Sequence, residues 1–372
     1  MFAACLVLAL AAIRLVTQKS ERRAAGFFAA FLVAFIVFQI PQIIGFAGFY
    51  DRDLRWSFYV PSTELWLGPL LYLHAFSLMC QDRIGHRIWA LAPGVIQLAY
   101  YGAMALILRT PAEVASFRAN VHRPFIDPIE TIGAIGLALA GLYGVYRLLK
   151  GYRHFLRHTE SNIDPFDPSW LSSALHWSAA ITVLYIVSVI YDQTLSTRAY
   201  FDVFPIYLLA ALATCWMSLV AISKTQTPFP KLQAALQADD TLADGPVDLA
   251  YWREQGQTLL AQLKSETLYL DPKLSRGDLA RSLATNETYV SRAISLGLDS
   301  NFSTIVNTIR VEHAKVLLAR SDQSILSVAL ESGFNSKATF YRVFKQITGA
   351  TPRAYRDGLP AQSQTLKQSR IR

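Results

Sequence analysis

The sequence has few cysteines, few charges and none of the short motifs that mark many catalytic sites. Its three cysteines lie within or at the ends of apolar runs, and their spacing fits neither a disulfide framework nor a metal site. Only 17% of the 372 residues are charged, whereas 52% are hydrophobic. No HExxH, GxSxG, Walker or GxGxxG pattern occurs in a fitting context. We therefore predict that the chain is not an enzyme and uses neither a cofactor nor a metal ion.

The charges that are present are distributed unevenly along the chain. Up to residue 250 there are 18 Lys and Arg against 17 Asp and Glu, whereas from Tyr251 onward there are 17 against 10. Seven of the eight net positive charges therefore lie in the last third. An apolar part followed by a basic part predicts a lipid bilayer as the partner of the first and nucleic acid as the partner of the second.

Long apolar runs fill the first 222 residues. A helix that crosses the hydrocarbon core needs roughly 20 apolar residues, and six runs meet that length. A seventh, at the start of the chain, is about one turn short. The soluble alternative, one large helical core, is disfavoured because short polar loops separate the six long runs. We predict a seven-helix transmembrane bundle over residues 1–222, with spans at 1–16, 24–48, 61–80, 88–108, 128–149, 170–191 and 201–222.

The basic residues between these runs predict how the bundle is oriented. The segments on one side carry twelve Lys and Arg, and those on the other side carry six. The richer side is expected to face the cytoplasm, and it also carries everything after the last span. The sequence thus predicts a multi-pass protein of the bacterial inner membrane whose C-terminal domain is cytoplasmic.

Three segments follow the last apolar run. Residues 223–247 are polar, rich in Asp and Pro, and predict a linker. Residues 248–360 predict an all-α domain, and residues 361–372 a basic polar tail. The domain starts with an amphipathic helix, Leu249–Ser265, with Leu259, Leu260 and Leu263 on one side. This amphipathic segment, together with the affinity gained when two DNA-binding domains are linked on one membrane, motivates the hypothesis of a homodimer.

The first helix-turn-helix pattern lies between residues 274 and 294. Two short helical stretches flank the turn at 284–286, and Asn286 is a suitable N-cap for the second. With the apolar positions turned inward, Thr288, Ser291 and Arg292 are expected to project outward together. Hydroxyl groups and a guanidinium suit base edges and phosphates in a major groove.

A second such pattern follows about 50 residues later. Residues 324–332 predict its first helix, and Gly333 supplies the positive φ that the turn needs. The next helix, 336–345, leaves Lys337, Thr339, Tyr341 and Arg342 available to DNA. A helix at 303–319, about 25 Å long, is expected to hold the two recognition helices about one DNA turn apart.

The second pattern resembles the AraC/XylS family of bacterial transcription regulators. The resemblance rests on residues 333–345, on Gly349, Thr351 and Pro352, and on Tyr355-Arg356. It implies a double helix-turn-helix domain that binds promoter DNA, with RNA polymerase as a further possible partner. The base-facing residues it implies are Thr288, Ser291, Arg292, Lys337, Tyr341 and Arg342, with Ser336 and Thr339 nearer the backbone. The family often has a glycine shortly before the segment that matches Asn301-Phe302, whereas Asp299-Ser300 stand there in this sequence, so the connection after the first recognition helix is expected to differ.

By its segment Gly68-Pro69-Leu-Leu-Tyr72, the membrane half resembles the multi-span sensors that are fused to such domains. It also has polar residues near its outer side. Gln42, Glu64, Trp66 and Glu130 are hypothesised to line an outward-opening pocket for an unknown small-molecule or other extracytoplasmic signal. The alternative is that these residues are simply hydrated or paired with loop arginines. His154 and His158 form an HxxxH pair, which we interpret as part of a basic interfacial strip and not as a metal site.

Two functions remain open at this point. In the first, a signal at the bundle controls DNA binding. In the second, DNA binding is constitutive and the bundle is only an anchor or a transporter. Paired broken helices would favour transport, and the sequence does not predict them.

Overall fold

The computed structural model describes residues 2–17, 21–80, 84–195, 200–224, 229–232, 248–320 and 323–358. Within these ranges the chain is helical, with two isolated bridges and no strand. The all-α prediction is therefore confirmed. The chain forms two compact units, which we call the apolar unit (Met1–Tyr152 and Pro168–Ala234) and the C-terminal unit (Arg153–Asp167 and Ala235–Arg372).

Seven main helices overlap the seven predicted apolar runs, and the fifth extends ten residues beyond the predicted end at 149. Five stretches are long and apolar enough to cross a membrane, namely Arg22–Phe46, Gly85–Ile107, Pro111–Thr159, Asp164–Ile190 and Pro205–Ser223. The first and third main helices have 16 residues each, so a bundle of seven spans stays a prediction. The helices are α1 (Phe2–Thr17), α2 (Arg22–Phe46), α3 (Glu64–Met79), α4 (Ala92–Ile107), α5 (Asp127–Thr159), α6 (Ser169–Leu195) and α7 (Tyr200–Lys224).

Small residues bring α3 and α5 into backbone contact. A Cβ added at Gly68 would lie 2.3 Å from the carbonyl oxygen of Leu137, and one added at Gly141 would lie 2.5 Å from that of Gly68. Close approach at glycine is a common way for helices to pack in a membrane. The start of α3 is fixed to α2 as well, because Thr63 Oγ1 donates to the Ala34 carbonyl at 2.6 Å.

Seven α-helices lie wholly within the C-terminal unit among its described residues. The first matches the predicted range Leu249–Ser265, and the long central helix is one residue longer at each end than predicted. Part of the predicted linker and the whole tail, 361–372, lie outside the described residues. The helices are α8 (Leu249–Ser265), α9 (Arg276–Ser282), α10 (Glu287–Arg292), α11 (Phe302–Arg320), α12 (Ile325–Glu331), α13 (Lys337–Thr348) and α14 (Pro352–Asp357).

The apolar side of α8 is buried inside its own unit. Leu259 and Leu263 are 1% and 0% exposed and belong to one core with residues of α9, α10 and α11. Glycine permits the close approach, since a Cβ at Gly297 would lie 2.1 Å from the Trp252 carbonyl oxygen. This side of α8 is therefore not available for a dimer contact, and the homodimer hypothesis rests on the linking of two domains on one membrane.

Candidate nucleic-acid interface

Side-chain caps fix the first helix pair, α9 and α10. Ser275 and Asp278 form a capping box at the start of α9, and Asn286 Oδ1 accepts from the Tyr289 amide at 2.7 Å. The prediction that Asn286 is an N-cap is confirmed. Each cap satisfies amides that the first turn of a helix leaves without a partner.

The three predicted contact residues of α10 do not share one exposed face. Thr288 is exposed, but Ser291 is only 8% exposed, so the expectation that it projects outward was wrong. The guanidinium of Arg292, which is half-buried, lies 6.0 Å from the ring centre of Trp252 on α8. Helix α8 packs against this helix pair and covers part of α10. DNA contact by these residues remains a prediction.

The second helix pair, α12 and α13, is joined by a turn that requires glycine. Gly333 has a φ of +84°, as predicted, and a Cβ there would lie 2.6 Å from the Tyr269 carbonyl oxygen. Ser336 caps α13 by accepting from the Thr339 amide at 3.1 Å. The turn and the cap together set the direction in which α13 leaves the core.

Helix α13 presents a basic face. Lys337 and Arg342 are exposed, and Tyr341 is half-buried with the Lys337 ammonium 5.6 Å from its ring centre. Thr339 is only 6% exposed, so it is less accessible than predicted. The inward side carries Phe340 and Phe344, both fully buried, as the apolar pattern predicts.

A buried arginine on α11 contacts Tyr269, which packs against the core that contains Leu259, and Phe334, which belongs to a second core with Phe340 and Phe344. Arg310 is 1% exposed, and it donates from Nε to the Tyr269 carbonyl at 2.7 Å and from Nη2 to the Asp271 carbonyl at 2.6 Å. Its guanidinium also lies 5.8 Å from the ring centre of Phe334. Burial lowers the pKa of Arg310 to about 10, so the side chain stays charged at neutral pH.

Comparisons with known proteins agree with this arrangement. Residues 279–358, from α9 to α14, match a family model described as a helix-turn-helix domain. An uncharacterized HTH-type transcriptional regulator of Staphylococcus aureus is 38% identical over 94 residues, which is 25% of this chain and 13% of that protein. The melibiose operon regulatory protein of Escherichia coli is 30% identical over 86 residues, 23% of this chain and 28% of that protein.

The C-terminal domain is an AraC-type helix-turn-helix domain. The chain spans only about an eighth of the length of the Staphylococcus relative, and no solved structure matches it. The family model matches the C-terminal part and therefore describes this domain, not the apolar unit.

An acidic segment lies against helix α13 of this domain. We use this name for residues 160–167, which carry Glu160, Asp164 and Asp167 and no basic residue. Asp164 Oδ1 accepts from Arg342 Nη2 at 2.6 Å, and its other carboxylate oxygen accepts from Thr339 Oγ1. Two residues that were predicted to face DNA are thus bonded to a carboxylate.

Backbone and buried contacts anchor the acidic segment on the domain. The Ser161 amide donates to the Leu274 carbonyl at 3.2 Å, Arg310 Nη2 donates to Ser161 Oγ at 3.2 Å, and Asn307 Nδ2 donates to the Ser161 carbonyl at 3.3 Å. Glu160 forms an isolated bridge with Ser275. Burial and the nearby carboxylates of Asp278 and Glu287 raise the pKa of Glu160 to about 7.

A polar cavity of about 630 Å³ adjoins the acidic segment within the C-terminal unit. Arg153, Arg157 and Asp164 line it from one stretch of chain, and Asn307 and Arg342 from the helix-turn-helix domain. Because the cavity is polar, water is able to reach the Asp164–Arg342 ion pair. The side chains of these two residues are 41% and 57% exposed.

The structure gathers only part of the predicted signal pocket. Gln42 and Glu64 line a cavity of about 260 Å³ in the apolar unit, together with Tyr101. Glu130 is not among the lining residues, and its carboxylate accepts from Tyr101 Oη at 3.1 Å. Trp66 does not line it either, because its ring packs against Gly94 and its Nε1 donates to the Leu91 carbonyl at 3.0 Å. The pocket role of these residues stays a prediction.

Sequence analysis missed two groups of residues that the structure brings together. Asp164 contacts Arg342 across 178 positions of sequence, and no local pattern encodes such a pairing. His122 Nε2 also lies 2.8 Å from Asp127 Oδ1, although their spacing of five is not one that places side chains together on an α-helix. The acidity of residues 160–167 was the one signal that pointed to a basic partner.

Proposed function

We propose that this protein is a membrane-anchored, sequence-specific DNA-binding transcription regulator whose apolar unit controls promoter binding. The apolar unit anchors the chain in the bacterial inner membrane, and the helix-turn-helix domain faces the cytoplasm. Its partners are promoter DNA, RNA polymerase and a second copy of the chain. The domain match supports DNA binding, and the five long apolar helices support the anchor.

The contact of Asp164 with Arg342 and Thr339 carries the regulatory part of this proposal. A carboxylate that accepts from Arg342 occupies the position a DNA phosphate or base edge would need. The acidic segment also adds negative charge near the recognition helix, and like charge repels DNA within a Debye length, about 8 Å at physiological salt. The contact therefore favours the DNA-free state.

The strengths of the contacts suit a switch. The Asp164–Arg342 pair is exposed, and exposed ion pairs contribute about 0.2–1 kcal/mol. Ser161, in contrast, is held by a backbone bond and by the buried Arg310. Asp164 is thus the least firmly held part of the segment and is released before Ser161 is.

Chain connectivity links this contact to the apolar unit. The acidic segment follows α5 and precedes α6, which begins at Ser169. A signal that shifts either helix changes the tension or direction of the segment between them. The equilibrium between the bound and released states of Asp164 then depends on the state of the apolar helices.

The test measures DNA affinity with the full-length chain in lipid nanodiscs. The DNA is a chromosomal fragment recovered with tagged full-length protein from cells. We expect Asp164→Ala to bind it roughly two- to fivefold more tightly than the unsubstituted chain, the equivalent of losing one exposed ion pair. Asp167→Ala is the matched control, since Asp167 lines the same cavity but is in none of the ion pairs found among the described residues. Equal DNA affinity for all three proteins would overturn the proposed regulation of DNA binding by Asp164.

A second experiment separates regulation from simple anchoring. The apolar unit and the acidic segment are replaced by an unrelated seven-span anchor that ends before Asp248. We expect transcription of a reporter behind the recovered fragment to become constitutive. If the replaced protein still responded to the growth conditions that alter the wild-type reporter, the apolar unit would be an anchor only.

A further inference from the structure

A histidine and two carboxylates come together at the start of α5. His122 Nε2 lies 2.8 Å from Asp127 Oδ1, and the potential ligand atoms of His122, Asp127 and Glu130 all lie within 4.8 Å of one another. His122 and Glu130 are 6% and 9% exposed, whereas the Asp127 side chain is 46% exposed. The cluster is thus buried on one side and open to solvent on the other.

A π-helical turn produces this grouping. Residues Arg118–Ile126 form the turn, and the Asp127 amide donates to the His122 carbonyl, five residues earlier. In this wider turn, residues that are five positions apart lie on the same side of the helix, whereas in a regular α-helix they do not. Glu130 follows Asp127 by three residues and shares its side of α5. Turns of this kind occur frequently at functional sites.

A buried amide beside the cluster points independently to a ligand. Gln97 is 3% exposed, and its Nε2 donates to Glu130 Oε1 at 3.0 Å. Its Oε1 is buried and has no hydrogen-bond partner among the described residues. A buried acceptor without a partner costs about 1–3 kcal/mol. A half-turn of the amide exchanges its oxygen and nitrogen, so that the oxygen faces Glu130 as a further ligand.

The histidine ring is held in the orientation that metal binding needs. Tyr100 Oη lies 2.8 Å from His122 Nδ1, which directs Nε2 toward Asp127. A hydrogen bond on the second ring nitrogen is the usual support of a metal-binding histidine. His122 and Asp127 also line the cavity of about 260 Å³ in the apolar unit, which gives an ion a route of entry.

We propose that His122, Asp127 and Glu130 bind a divalent transition-metal ion. One imidazole nitrogen and two carboxylates suit Zn²⁺ and its first-row neighbours, whereas Mg²⁺ and Ca²⁺ prefer ligand sets of oxygen alone. The ion replaces the proton between His122 Nε2 and Asp127 Oδ1, which leaves to solvent on binding. We further assign this ion as the signal, a step that rests on the proposed function.

Binding is tested with the full-length chain in nanodiscs, with Zn²⁺ titrated against a chromophoric chelator and Mg²⁺ as a competitor. We expect one tight Zn²⁺ site per chain that excess Mg²⁺ does not empty. His122→Ala and Asp127→Asn should each weaken binding by at least on the order of tenfold. His176→Ala, at an exposed histidine of α6, is the control and should bind as the unsubstituted chain does.

The variants distinguish loss of the site from loss of the fold. Asp127→Asn keeps the size of the side chain and removes only the charge, so helical circular dichroism should be unchanged and the variant remains informative if His122→Ala unfolds. Zn²⁺ binding by folded Asp127→Asn that equals that of the unsubstituted chain would overturn the site. Tight Zn²⁺ binding without any response of the reporter to added Zn²⁺ would confirm the site but overturn the role of the ion as the signal. The Asp164→Ala experiment tests the proposed regulation of DNA binding separately.

Discussion

At the scale of single residues, Arg342 has two competing partners. It is exposed on α13, where the sequence motif predicts contact with DNA, and it is bonded to Asp164 in the described structure. A guanidinium offers a planar set of donors that fits a carboxylate, a phosphate or a guanine edge equally well. Competition for one side chain is therefore a sufficient physical basis for control of DNA binding.

Arg342→Ala is expected to lower both affinity and specificity. Loss of one base-reading arginine costs about 1–3 kcal/mol on the preferred site and less on unrelated sequence. The measurement is titration of the recovered fragment and of a scrambled duplex with full-length protein. Arg353→Ala is the control, because it also removes one positive charge, from an exposed side chain of α14. If that variant lost as much affinity and specificity as Arg342→Ala, Arg342 would contribute only charge.

Glu160 is expected to make the contact of the acidic segment dependent on pH. Burial, first, and the carboxylates of Asp278 and Glu287, second, raise its pKa to about 7 in the bound segment. Arg276 and Arg281 pair with those two carboxylates, and Glu160 is in no ion pair among the described residues. Because the bound segment holds the proton more tightly than the released one, binding of the segment is strongest at low pH. It weakens as pH rises from the ordinary value of 4.5 to about 7.

The measurement compares DNA affinity of the unsubstituted chain and Glu160→Gln between pH 5.5 and 7.5. The ratio of the two affinities removes pH effects on DNA binding that they share. We expect the unsubstituted chain to gain affinity relative to Glu160→Gln as pH rises, because only its segment is released. Glu312→Gln, at an exposed glutamate of α11, should show no such change in its ratio. A flat ratio for Glu160→Gln would contradict the argument.

At the scale of elements, substitutions at two glycines distinguish the cost of a left-handed backbone from the cost of a steric clash. Gly333 and Gly349 have similar φ values, +84° and +78°. A Cβ at Gly333 would meet the Tyr269 carbonyl oxygen at 2.6 Å, but one at Gly349 has nothing within 4 Å. Gly349→Ala should therefore cost only the left-handed backbone, about 1–2 kcal/mol. Gly333→Ala should cost more, because the turn between α12 and α13 must also move.

The difference in stability between the two variants is measured by thermal unfolding in detergent. The helical circular dichroism signal is recorded, and the transition that the two substitutions shift is compared. Gly333→Ala should lower the midpoint further than Gly349→Ala and should also weaken DNA binding, because α13 is displaced. Equal midpoints for the two variants would mean that the contact with Tyr269 relaxes without cost.

Local elements of the C-terminal unit were predictable from the sequence. The range of α8, the N-cap at Asn286 and the positive φ at Gly333 all follow from short-range rules of periodicity, capping and turn geometry. Each depends on residues only a few positions apart, so a sequence pattern contains the necessary information.

Contacts between distant elements were not predictable. Ser291 is buried in a unit whose first helix, α8, packs on α10, and Trp66 turns to Leu91 and away from the cavity. Asp164 meets Arg342 across 178 positions. None of these contacts follows from helical periodicity. They depend on how the helices pack against one another, and local sequence rules do not specify that packing. For this reason the candidate DNA contacts were found, but the residue that covers them was not.

At the scale of the whole molecule, the chain concentrates its positive charge where DNA is expected. From Tyr251 onward the charge excess is seven, whereas the charges of the earlier residues nearly cancel. Anchoring in one membrane would also raise the local concentration of two domains, which supports a dimer on DNA by avidity although the apolar side of α8 is buried. Cross-linking in native membranes that gave monomers alone would argue against the dimer.

The salt dependence of DNA affinity tests charge and control together. Each phosphate contact contributes about −0.9 to the slope of log affinity against log salt concentration. In Asp164→Ala all basic contacts release counterions when DNA binds. In the unsubstituted chain Arg342 is already neutralised by Asp164, and salt weakens that pair, so the slope should be shallower by up to about one contact. Titrations of both proteins from 50 to about 200 mM salt measure the two slopes. A shared slope would contradict competition at Arg342, and no slope at all would contradict electrostatic binding to DNA.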